Sequence, residues 1–220
     1  MPVVPNRASA HRTADELSRD LVARGLQAAR DAIETEAAAV SALADRLDGV
    51  FLEVLLAVAQ CEGHLVVTGL GKSGLVGRKI AATLASTGTP ATFIHSGDAL
   101  HGDSGAVTSR DIVLALSASG ETAEVCAFAR MLRERTIPVI AMTGGEESTL
   151  AQLATYTLDT MVLREADPLN LAPTASTTAS LAMGDALACA LVVLRSFSHH
   201  DFAQFHPSGA LGKRLAEDQA

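Results

Sequence analysis

A chain of 220 residues is long enough for one well-buried α/β domain and short for two. Hydrophobic residues make up 48% and charged residues 19%, with no Trp and a single Tyr, so the core must be aliphatic. The net charge of −8 and the lack of a basic patch argue against nucleic acid as a partner.

Residues 1–12 read as a flexible tail without the apolar segment of a signal peptide. Thr13 and Glu16 form a T-x-x-E capping box that opens a helical region. Ile33, Ala37, Val40, Ala44 and Leu47 then recur at 4-3-4-3 spacing, a narrow helical seam facing either the domain or another subunit. Phe51, Val54, Leu55 and Val58 mark a second helix that ends near Gly63. From there strand-like runs at 64–68, 91–95, 112–117 and 137–142 alternate with helical runs at 74–87, 121–135 and 148–154. Strands separated by helices of this length predict right-handed crossovers and a mostly parallel sheet. A further short strand is expected over 156–163, then a loop at 164–173. A long helix, about 174–195, is apolar nearly all round and so buried on several sides. Its longest apolar stretch, Leu181 to Leu194, carries Gly184 and Asp185 and falls short of the roughly 20 residues that span a bilayer. A final short helix is expected after Pro207. No repeat or low-complexity linker interrupts the pattern, so residues 13–216 are expected to form one domain. Cys61, Cys126 and Cys189 are scattered and form no CxxC pair, as in a reduced, cytoplasmic protein.

The chemistry concentrates in two segments, each leaving a strand and opening a helix. The first is Gly69-Leu70-Gly71-Lys72-Ser73-Gly74; the second is Ser117-Ala118-Ser119-Gly120-Glu121-Thr122. Glycine lets the backbone approach an anion, and hydroxyls with free helix N-terminal amides bind its oxygens. Parallel sheets bind ligands beyond the carboxyl ends of their strands, where the strand order switches, so the two loops can converge on one phosphate. Gly69-x-Gly71-x-x-Gly74 also matches the dinucleotide fingerprint, yet the second strand ends at His95 where that fingerprint wants a ribose-holding acid. A Walker A loop would need glycine where Val66 stands.

Lys72 suits a phosphate or a developing oxyanion, and Ser73, Ser117, Ser119 and Thr122 supply more hydroxyls than a helix cap requires. Glu121 lies within the second loop and Glu124 just after it, and spacing alone does not choose which of them serves as a base. His101 and His206 sit beside turn residues, in Leu-His-Gly-Asp and Phe-His-Pro contexts. Glu165, in Arg-Glu-Ala-Asp-Pro, carries no signal of its own.

Taken together these segments resemble the arabinose 5-phosphate isomerases of the sugar isomerase (SIS) superfamily. The resemblance runs from about residue 20 to 215. It is carried by GLGKSG at 69–74, ASTGTP at 85–90, HGD at 101–103, SxSGET at 117–122, LAPTxSTT at 171–178, MGDALA at 183–188 and HPxGALG at 206–212. It implies a three-layer α/β fold, a five-stranded parallel sheet flanked by helices, with extra N-terminal helices. It further implies interconversion of D-arabinose 5-phosphate and D-ribulose 5-phosphate through an enediolate, without a cofactor, on the route to the lipopolysaccharide sugar Kdo. By motif, Lys72, Glu124, Glu165 and His206 match catalytic positions. Gly88, Thr89 and His101 match sugar-contacting ones, and Ser73, Ser117, Ser119, Gly120 and Thr122 the phosphate loops. His95 matches a position associated with inhibitory zinc. Members are typically homotetramers with sites between subunits, so His206 is expected to serve a neighbour. The chain resembles the short form, lacking the pair of CBS domains that many relatives carry. Ala118 stands where relatives often have Asn, and Ser208 where Gly is usual, which bears on substrate preference. The alternatives are a non-catalytic SIS sugar-phosphate sensor and an isomerase of another sugar phosphate.

Overall fold

The computed structural model describes residues 19–207. The expected tail, the Thr13/Glu16 capping box, Ser208 and the helix after Pro207 lie outside the described residues.

Five strands form one parallel sheet: β1 (Leu65–Gly69), β2 (Ala91–His95), β3 (Ile112–Leu116), β4 (Val139–Thr143) and β5 (Tyr156–Asp159), in the order β2-β1-β3-β4-β5. β1, β3 and β4 are buried along their whole length, while the edge strands β2 and β5 are only partly covered. Runs such as Leu-Val-Val-Thr-Gly and Ile-Val-Leu-Ala-Leu suit strands covered on both faces, which need no polar alternation. Successive side chains feed opposite cores. Leu65, Val67, Leu114 and Leu116 join one with α2 (Gly49–Ala59), α3 (Gly71–Ser86) and α7 (Ala175–Leu194). Val66, Val113 and Ala115 join the other with α5 (Ala123–Glu134) and α6 (Thr149–Leu153). The short α4 (Ser96–Ala99) follows β2, and α8 (His199–Phe205) follows α7.

α7 lies beside α3 and runs in the same direction. Gly184 faces Ile80, Lys79 pairs with Asp185, and Gly88, just past α3, abuts the Phe197 ring. α7 is long and apolar enough, by length and composition, to cross a membrane. Here Ala179, Met183, Leu187 and Leu191 are instead buried against α3, α2 and the sheet.

The outer helix α1 (Arg19–Ser41) departs from the expected seam. Ile33 is 71% exposed, and Ala44 and Leu47 lie beyond the helix, in and just after a 3₁₀ turn at Ala44–Arg46. The half-buried face is Ala28, Ala32, Thr35, Glu36, Ala39 and Val40, followed by buried Leu43. Small residues permit close approach to α7, and polar contacts fix the helix rotation. Glu36 accepts a 2.9 Å hydrogen bond from Thr178, and Arg164 donates to Thr35 at 3.0 Å.

Candidate active site

The order β2-β1-β3 places the switch in strand order between β1 and β3. Their last residues, Gly69 and Leu116, are register partners, so the two Gly/Ser loops leave the sheet side by side. The first helix begins earlier than the apolar pattern suggests, at Gly71, which places Lys72 and Ser73 in its first turn. Gly69 and Gly74 serve packing. A Cβ on Gly74 would lie 3.0 Å from the Gly69 carbonyl oxygen, so the helix approaches the strand as only glycine allows. Gly71 has φ +56° and nothing near its missing side chain; its need is conformational.

Helix capping distinguishes these two helices from α2, α6 and α8. Asp48, Ser148 and Ser198 each cap their own helix, α2, α6 and α8, through a side-chain oxygen. Leu70 and Thr122, at the starts of α3 and α5, make no side-chain cap. The first-turn amides of both helices thus point from the carboxyl edge without an intrahelical partner, with the positive ends of two dipoles behind them. An anion between them would complete both helices.

The second loop is built from within. Ser117 is 2% exposed, bonds the Thr122 hydroxyl at 2.9 Å and accepts from the Gly120 amide at 3.1 Å. It therefore shapes the loop from within. Ser119 is exposed and Thr122 half-buried, and both remain at the surface of the loop. Gly120 has φ +69° and faces Ser148 so closely that a Cβ would meet its Oγ at 2.0 Å.

The choice between the two glutamates follows from contacts 28 residues away. The Glu121 carboxylate accepts from the Thr149 amide and from its hydroxyl, each at 2.8 Å, turning away from the loop toward α6. Those bonds hold its pKa below the ordinary carboxylate value. Glu124, in the first turn of α5, is half-buried, and its carboxylate makes no hydrogen bond or ion pair among the described residues. It is the carboxylate available to a ligand.

Glu165 is tied to the start of α7. Its carboxylate accepts from the amide of Thr174 at 2.7 Å, the amide of Ser176 at 3.2 Å and both hydroxyls, that of Ser176 in a very short bond. Burial raises its pKa, and these hydrogen bonds outweigh that and hold it below the ordinary value. Glu165 is the N-terminal cap of α7. Because α7 parallels α3, this cap lies at the same edge of the sheet as Lys72.

Lys72 and His101 are exposed at the carboxyl edge, His101 beyond β2 where its amide donates to the Asp98 carbonyl at 2.9 Å. His95, the last residue of β2, has Nδ1 3.7 Å from Asp98. Among the described residues no third His, Cys, Asp or Glu joins them into a metal-binding group.

Three expected residues lie elsewhere. Gly88 and Thr89 are in the turn between α3 and β2, at the amino edge; Thr89 is 3% exposed and Gly88 is covered by Phe197. His206 directly follows Phe205, which lines one pocket with His64, Gly88, Pro90 and Ala91 at that same edge. Its ring stacks on Phe202 with centroids 3.9 Å apart, and Nδ1 is 2.9 Å from the Phe202 carbonyl oxygen. The 16-residue α3 separates the two edges by about 24 Å. Within one chain Gly88, Thr89 and His206 therefore do not join Lys72 and Glu124. Sequence reasoning passed over Ser148 and Thr149, which support the second loop. The signal was a Ser-Thr pair opening a helix after Gly144-Gly145, at the end of the third fully buried strand.

Comparison with known proteins agrees with this geometry. Residues 59–190 match the SIS domain. The chain is 50% identical over 190 residues to arabinose 5-phosphate isomerase KdsD of Pseudomonas aeruginosa, covering 86% of this chain and 58% of that protein. It is 48% identical over 190 residues to arabinose 5-phosphate isomerase GutQ of Escherichia coli, covering 86% and 59%. The chain thus spans about three-fifths of the length of these curated relatives. Among solved structures, c3406 of E. coli CFT073, in complex with arabinose 5-phosphate, superposes with a TM-score of 0.79 at 37% identity, covering 87% of this chain and all of that one. With the domain match, the 2-1-3-4-5 parallel sheet and the paired open helix ends all in agreement, the chain belongs to the SIS-domain family.

Proposed function

We propose that this protein is an aldose–ketose isomerase interconverting D-arabinose 5-phosphate and D-ribulose 5-phosphate. The observation that carries the reading is the pair of uncapped helix N-termini at the strand-order switch, with Lys72 in the first turn of one and Glu124 in the first turn of the other. The phosphate sits between them, held by amides, Ser73, Ser119 and Thr122. This remote grip supplies binding energy that orients the sugar. Glu124 removes the weakly acidic proton from C2 of the aldose and returns it to C1 of the ketose. Lys72 stabilises the enediolate oxygen, and His101 holds sugar hydroxyls. Glu165 acts by fixing the start of α7.

His206, with Gly88 and Thr89, completes a site of another copy, where the imidazole shuttles the proton between the two oxygens. The assembly is a homotetramer; the exposed Val22, Leu26 and Ile33 on α1 support association through that helix. Residues 13–216 act as one isomerase unit in the cytoplasm, and the product enters synthesis of Kdo. The test is ketose formation from D-arabinose 5-phosphate by the purified, chelator-treated protein. Turnover is expected to persist after chelation and to fall about 10²–10⁴-fold in Glu124→Gln, with KM little changed. Near-normal turnover in that variant would remove Glu124 as the base.

A further inference from the structure

We propose that Glu121 and Thr149 form a latch that keeps a negative charge out of the anion-binding loop and so sets that loop's affinity for phosphate. The inference rests on the site proposed above and concerns residues to which that reading gave no role. Glu121 lies between Gly120 and Thr122, inside the segment that opens α5. A carboxylate there is the nearest competitor for the free amides of α5, since an anionic side chain near a helix N-terminus is attracted to it. In this structure the side chain is turned the other way. Both its oxygens are taken up by Thr149, one by the amide and one by the hydroxyl, each at 2.8 Å.

The segment around α6 holds the loop at further points. The Leu150 amide donates to the Gly120 carbonyl at 3.0 Å, and the Gly144 amide donates to that of Ala118 at 3.0 Å. The Thr143 hydroxyl reaches the same Ala118 oxygen at 3.4 Å. Ser148 fills the space in front of Gly120. The loop backbone is thus anchored independently of Glu121, and the Glu121–Thr149 contact has a separate consequence: it directs a charge. A glutamate carboxylate is ionised at neutral pH with or without these bonds, so the charge goes wherever the side chain goes.

Thr149→Pro tests this cleanly. Thr149 is the first residue of α6, where proline is well tolerated, and the preceding Ser148 is extended at ψ 162°, as a residue before proline must be. The substitution removes both donors at once and frees the carboxylate. Inorganic phosphate affinity by calorimetry is the primary readout, and the kinetics of arabinose 5-phosphate turnover the second. The expected result is phosphate binding weakened about tenfold and KM raised to match, with kcat within about threefold. Glu121→Gln in the Thr149→Pro background removes the charge without restoring the anchor, and is expected to recover most of the lost affinity.

Wild-type phosphate affinity in Thr149→Pro overturns the proposal. So does a double variant as weak as the single, because the contact would then act only by bracing the loop. If Thr149→Pro does not fold, Thr149→Val removes the hydroxyl alone and must show the same direction at about threefold, with recovery by Glu121→Gln; no change there overturns it equally. Phosphate affinities that follow this pattern in a protein without turnover would refute the isomerase reading and leave the latch standing.

Discussion

Gly120→Ala joins stability and function at one atom. At φ +69° a side chain carries left-handed strain of about 1–2 kcal/mol. The new Cβ would also lie 2.0 Å from Ser148 Oγ, 2.4 Å from Ser148 Cβ and 2.9 Å from Thr143 Oγ1. Ser148 and Thr143 are buried, so neither side chain can swing clear, and relief requires the loop or α6 to shift. Overpacking of this kind costs a further 1–3 kcal/mol or so, for a total of about 2–5 kcal/mol. Ser148→Gly removes the obstructing atoms, and as a cap substitution costs only about a few tenths of a kcal/mol. In the double variant the strain of about 1–2 kcal/mol and the 2.9 Å contact with Thr143 Oγ1 should remain, while the clash with Ser148 should vanish. Urea unfolding at fixed protein concentration, with unchanged m, reads these values directly. Gly120→Ala within about 0.5 kcal/mol of wild type, or a double variant no better than the single, would refute the account of the loop.

Further outcomes follow from the same geometry. Asp111, 5% exposed, accepts from the His64 amide, the Thr108 amide and the Thr108 hydroxyl; burial pushes its pKa up, and these bonds bring it below the ordinary value. A depressed folded pKa means that its stabilisation is fully present above the unfolded value near 3.8 and is lost as pH falls below it. Asp111→Asn should therefore cost about 1–3 kcal/mol at neutral pH and flatten the loss of stability below pH 4, as read by thermal melts. A slope identical to wild type would contradict the role given to Asp111. Glu124→Gln and His206→Asn chains, each inactive alone, should regain about a quarter of wild-type activity when co-assembled, the statistical yield of intact composite sites in a two-residue shared site. No recovery in verified hybrids would place His206 outside the neighbour's site.

The layered architecture was legible because β1, β3 and β4 are short apolar runs between helix-length segments, a pattern with few solutions other than a parallel sheet. The loops were legible too, since Gly69–Gly74 and Ser117–Thr122 each join a strand to a helix. What could not be read was everything decided by tertiary placement. Glu121 and Glu124 differ only because Thr149, 28 residues later, takes one of them. Glu165 looked featureless because its partners, Thr174 and Ser176, become neighbours only when the 166–173 loop folds back. The α1 seam misled because Ala-rich helices pack through small residues and specific polar contacts, so apolar spacing alone did not mark the face that meets α7. His206 and Lys72 sit at opposite edges of the sheet, which no linear spacing reports.

Proton NMR of D-arabinose 5-phosphate incubated with the protein in D₂O tests the central claim most directly. The account predicts that ketose appears together with deuterium at C1 of the ketose and at C2 of recovered aldose, and that Glu124→Gln loses both. Ketose formed by Glu124→Gln at the wild-type rate, or a folded wild-type protein that leaves the sugar phosphate unchanged, would contradict it.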